Sequence, residues 1–81
     1  MEPEKIKQMI LAALPDCEVL INGDGRHFDA IIVSEGFKGK SMIEQHRMVY
    51  ATLGNKMQSE EVHALSMKTY TPEQWAKIKS S

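Results

Sequence analysis

Three histidines and one cysteine carry the ligand and nucleophile chemistry of this chain: His27, His46, His63 and Cys17. A neutral imidazole ligates transition metals and titrates close to neutral pH. The spacing builds no self-contained centre. No CxxC pair is present, and a lone thiol neither staples a fold nor completes a zinc site. His27 follows the glycine-rich run Gly23-Asp24-Gly25, and on residue type alone it reads as an exposed hairpin residue. His63 alternates with Leu65 and Met67, which puts it at the rim of a core. By itself it reads first as a strand-start histidine bonded to backbone, since ligation needs convergent partners. His46 shares a helical line with Met42, Val49, Leu53 and Met57 and reads as a satisfied, partly buried side chain. Cys17 reads as a small apolar residue.

The bulk properties narrow the field. With 81 residues the chain makes one domain, residues 1–81, too small for a deep internal active site. There is no nucleophile–base pattern, no informative carboxylate pair and no Walker-type phosphate loop, so neither an enzyme nor a small-molecule substrate is expected. Glu60-Glu61 reads as a solvated pair. A formal net charge of −1 argues against a general polyanion binder, though not against a local basic patch. The lone thiol, the acidic start Met1-Glu2-Pro3-Glu4 and the lack of a membrane-length apolar run point to the cytoplasm and away from membranes.

The elements that would position these side chains follow from periodicity and punctuation. Ile6, Met9, Ile10, Ala13 and Leu14 form a helical stripe, opened by Pro3 and closed by Pro15. Residues 17–22 read as a strand, Gly23-Asp24-Gly25 as a turn, and residues 27–34 as a second strand with Phe28, Ala30 and Ile32 on one side. Ser41-Met42-Ile43-Glu44 is a capping box that starts a second helix, whose end falls near Gly54-Asn55. Residues 62–70 read as the third strand. Thr71-Pro72-Glu73-Gln74 opens a last helix, with Tyr70 and Trp75 placed as a hydrophobic staple. The order helix, strand, strand, helix, strand, helix predicts an α+β two-layer domain: a three-stranded mixed sheet with helices on one face. The methionines at 9, 42, 48, 57 and 67 read as core and near-core filler.

Gly36-Phe37-Lys38-Gly39 satisfies the GxxG pattern with which KH domains clamp a nucleic-acid backbone. Lys38, Lys40 and Arg47 lie nearby. The pattern is short and precedes the capping box rather than joining two helices, so a tight strand-to-helix turn is the favoured reading.

Several blocks together resemble the BolA family: Gly23-Asp24-Gly25-Arg26-His27-Phe28, Phe37-Lys38-Gly39-Lys40 leading into His46-Arg47-Met48-Val49-Tyr50, Val62-His63-Ala64-Leu65-Ser66-Met67-Lys68, and Tyr70-Thr71-Pro72-Glu73-Gln74-Trp75. They stand in the family's order and span almost the whole chain, which is similar to the short bacterial members. The resemblance implies a fold related to the class II KH domain and a monothiol glutaredoxin as partner. It also implies a [2Fe–2S] cluster shared with that glutaredoxin and glutathione. It implies His63 as the strand ligand and His27 as the match to a second ligand in the loop between the first two strands. The chain departs from the loop's cysteine version, and Cys17 does not match it. A role in iron–sulfur maturation, trafficking or iron homeostasis follows from the resemblance, with a free protein that is monomeric. The alternative is a KH-like transcriptional regulator that binds DNA.

Overall fold

Proline in the first turn and proline just past the end bound the first helix, α1 (Pro3–Ala13). Its core side is carried by Ile6 and Ile10, both fully buried, with Met9, Leu11 and Leu14 packed beside them. Strands β1 (Glu18–Gly23) and β2 (Phe28–Val33) follow as an antiparallel hairpin. A single turn of 3-10 helix (Glu35–Phe37) leads into helix α2 (Met42–Leu53), then strand β3 (Leu65–Tyr70) and helix α3 (Pro72–Lys79). This computed structural model describes residues 2–24, 26–54 and 65–80.

The sheet order is β1-β2-β3, with β2 and β3 parallel, as the crossover through α2 requires. Alternation and register give three cross-strand rows on the covered face: Val19-Ile32-Thr69, Ile21-Ala30-Met67 and Gly23-Phe28-Leu65. Val19, Phe28, Ala30, Ile32 and Leu65 meet Ile6, Ile10, Phe37, Val49 and Leu53 in one core. Helices α1 and α2 pack on each other, α1 against β1 and α2 against β3. Helix α3 contributes no buried residue and docks against β3 through Trp75, whose ring stacks on Tyr70 at 5.6 Å.

Both capping boxes form. Ser41 accepts from the Glu44 N–H while Glu44 accepts from the Ser41 N–H, and Thr71 and Gln74 do the same. Gly54 ends α2 with φ +54°, a backbone state that excludes most side chains without strain. One expectation for α2 fails. Helical spacing puts Met42 on the buried line, yet it is 67% exposed, and Gln45, Val49 and Leu53 make the buried contacts. Met42 lies on the first turn, beyond the part of α2 that covers the core. Met57, Glu60 and Glu61 lie outside the described residues.

Gln45 occupies a core position because its amide is saturated. Nε2 donates to the Phe37 carbonyl at 3.1 Å and to the Lys40 carbonyl at 3.0 Å, and Oε1 accepts from the Thr69 hydroxyl at 2.6 Å. One side chain thus ties the turn, the crossover helix and β3 together. Gln45→Leu takes the amide partner from the Lys40 carbonyl and the Thr69 hydroxyl and leaves the Phe37 carbonyl with the Lys40 N–H alone, so it is expected to cost ~2–4 kcal/mol in urea unfolding, against ~1 kcal/mol for Thr69→Val.

Candidate functional site

The hairpin turn positions His27. Asp24 Oδ1 accepts the Arg26 N–H at 2.8 Å and the His27 N–H at 2.9 Å, and the Asp24 N–H donates to the His27 carbonyl at 3.2 Å. These three bonds fix the backbone that bears His27 and leave its side chain exposed. Below the turn, Gly23 is required by contact: a Cβ there would stand 2.5 Å from the Phe28 ring and 2.8 Å from the His27 carbonyl oxygen. The core residue Phe28 is thereby pressed against the base of the loop. Asp24 was not singled out from the sequence; a carboxylate three residues before the histidine, in a turn, is the signal that marks it.

The two N–H bonds, His27's first, hold the Asp24 carboxyl below its usual value of 3.8. A lowered carboxylate pKa stabilises the folded turn above the unfolded value, and that contribution is lost as pH falls through the lower folded value.

His63 lies outside the described residues, as do residues 62 and 64 of the expected third strand. What is described is the strand they lead into: β3 begins at Leu65, paired in parallel with Phe28, the residue that follows His27. His46 differs from expectation. It is half-buried, but its Nε2 is buried without a hydrogen-bond partner, so it is not satisfied. Cys17 is half-buried; burial pushes its thiol pKa up and the Ser34 side chain opposes this, which leaves a poor nucleophile. Among the described residues, no three His, Cys, Asp or Glu side chains converge to hold a metal ion. Also among them, no helix is long and apolar enough to cross a membrane.

The GxxG segment is a structural turn. The N–H groups of Gly36, Phe37, Lys38 and Lys40 donate to Ser34 Oγ, Ser34 O, Glu35 O and Phe37 O. Phe37 is fully buried, and Lys38 pairs with Glu73 at 3.6 Å on the surface. Gly39 supplies the positive φ of +79° that the turn needs. Donors engaged in this way are not offered to phosphates.

Comparison with known proteins agrees with this geometry. The family described as BolA-like protein matches residues 7–74. The chain belongs to the BolA family. Among BolA-family relatives it is 39% identical over 77 residues to the acid stress protein IbaG of Escherichia coli K12, covering 95% of this chain and 92% of that one. It is 42% identical over 53 residues to the DNA-binding transcriptional regulator BolA of the same organism, covering 65% of this chain and 50% of that one. The structure of a BolA homologue from Coxiella burnetii superposes with a TM-score of 0.82 at 42% identity, over 94% of this chain and 97% of that one.

If the Asp24 carboxylate holds the BolA-type loop, its NMR titration midpoint should fall below 3.8. Asp24→Ala should speed hydrogen exchange at the Arg26 and His27 amides while the core amides keep their protection.

Proposed function

We propose that this BolA-family domain is an adaptor, not an enzyme. In this reading it pairs with a monothiol glutaredoxin and shares a [2Fe–2S] cluster with that protein and glutathione. It serves iron–sulfur maturation, trafficking or iron homeostasis, with the cytoplasm as its compartment. His63 and His27 are its ligands, and the glutaredoxin cysteine and glutathione thiol supply the others. The observation that carries the reading is the parallel register Phe28↔Leu65. His27 is one residue before Phe28, and two peptide units join His63 to Leu65, a reach of at most ~7 Å. The chain therefore carries one histidine directly before β2 and another two residues before β3, whose first residues are paired. The exposure of His27 on a tethered backbone suits ligation of a metal brought by another protein. Replacing thiolate by imidazole raises the reduction potential of such a cluster, which favours transfer or sensing over low-potential electron transport.

A second reading, a nucleic-acid-binding regulator, is favoured by the name of the BolA relative from Escherichia coli, a DNA-binding transcriptional regulator. The engaged N–H groups of the glycine turn weigh against a KH-type clamp there.

Mixing the protein with a monothiol glutaredoxin, glutathione, iron and sulfide should give a heterodimer whose visible spectrum differs from that of the glutaredoxin homodimer. His63→Ala should abolish that difference, and His27→Ala should reduce cluster lifetime. An unaltered spectrum in His63→Ala removes the adaptor reading. In a duplex-DNA titration, a steep loss of affinity with salt would favour the second reading instead.

A further inference from the structure

Strand β1 forms one edge of the sheet, and a single bond fixes which of its main-chain groups face outward. The Asp24 N–H donates to the His27 carbonyl, and these two residues continue the register that sets Glu18 opposite Val33. Positions 18, 20, 22 and 24 therefore aim their N–H and C=O groups at β2, while Val19 and Ile21 aim theirs away from it. The Ser34 N–H, which donates to the Tyr70 carbonyl, agrees, because it turns the even positions along β2 towards β3. Among the described residues, no hydrogen bond takes up the outward groups of Val19 and Ile21. The edge also lacks the devices that keep natural edges apart. Glu18–Gly23 holds no lysine, arginine or proline, and its pairing with β2 runs without a bulge. Leu20 stands 46% exposed in the middle of it. An open hollow of about 600 Å³ borders Leu20, Ile21 and Asn22 together with Pro3, Glu4 and Lys7 of α1, so the helix does not seal the strand.

We infer that β1 pairs with β1 of a second copy of this chain, antiparallel about a two-fold axis at Leu20. Val19 of each copy then exchanges main-chain bonds with Ile21 of the other, which satisfies every outward N–H and C=O of these two residues. Leu20 packs on its counterpart, and the Glu18 carboxylate lies opposite the Asn22 amide, a donor for it. Neighbouring registers fail. An axis at Ile21 sets Glu18 against the Asp24 carboxylate, like charge against like. An axis at Val19 calls on the Cys17 N–H, which is already given to the Leu14 carbonyl. With the axis at Leu20 the strand is its own complement in charge and in hydrogen bonding. A nucleic acid or a bilayer offers no ladder of alternating donors and acceptors to such an edge. A contact of residues 18–22 on each side is small, so the dimer is reversible and the monomer implied by the resemblance is its other state. Neither His27 nor His63 belongs to β1, so the inference stands independently of the cluster reading.

The test is a dilution series of the full chain in the analytical ultracentrifuge, with isotope-filtered NMR on a mixture of labelled and unlabelled copies. The expected result is an apparent mass that climbs from one chain towards two with concentration, and intermolecular contacts that join Val19 to Ile21 and Leu20 to Leu20. Leu20→Lys and Leu20→Glu change an exposed side chain, so each variant should keep the wild-type amide spectrum outside β1. Self-association of each should nevertheless weaken about tenfold or more, because the axis brings like charges together. An equimolar mixture of the two variants should recover it. A mass of one chain at every concentration, contacts on another surface, unweakened association of either variant, or no recovery in the mixture would overturn the inference.

Discussion

A parallel ladder between β2 and β3 is the constraint on which the rest of the molecule depends. Parallel strands cannot be joined by a tight turn, so the chain must leave the top of β2, return along a helix, and re-enter beside the point where β2 began. That requirement explains α2, the sharp turn that launches it and the glycine that ends it. It also makes the two entrances, at Phe28 and Leu65, neighbours although 37 positions separate them in sequence. The exposed His27 stands one residue before the first of these entrances.

The crossover is secured by polar as well as apolar contacts. Val49 and Leu53 bury the middle and end of α2 in the core, but the first turn is held by Gln45, whose amide reaches the turn and β3 together. A buried amide is tolerable only when every donor and acceptor is matched, and here the match also fixes the geometry of the launch. Because a polar side chain holds this turn, the apolar Met42 is left outside the core.

Much of the architecture was legible because local signals and global fold agree. Two capping boxes, a proline at each end of α1 and an apolar, β-branched run in β2 each pointed to the element that forms. Reading failed where a helical line was judged by hydropathy alone. Met42 and Gln45 compete for the same side of α2, and their order of burial depends on hydrogen bonds with residues 5, 8 and 24 positions away in sequence. The unpaired Nε2 of His46 was equally invisible, since periodicity gives burial but not partners. At the candidate site, residue type and the neighbouring glycines gave the exposed hairpin position of His27, and its reading as a ligand came from the resemblance alone. The Asp24 carboxylate that holds its backbone was passed over as an ordinary turn residue.

The contact between Gly23 and the Phe28 ring has an evolutionary corollary. At position 23 the frame of the hairpin tolerates no side chain, whereas the tip residues Arg26 and His27 project into solvent and contribute nothing to the core. Exchanges at an exposed tip typically alter stability by less than ~0.5 kcal/mol. The hairpin tip can thus exchange an imidazole for a thiol without disturbing the scaffold, while its base admits almost no variation.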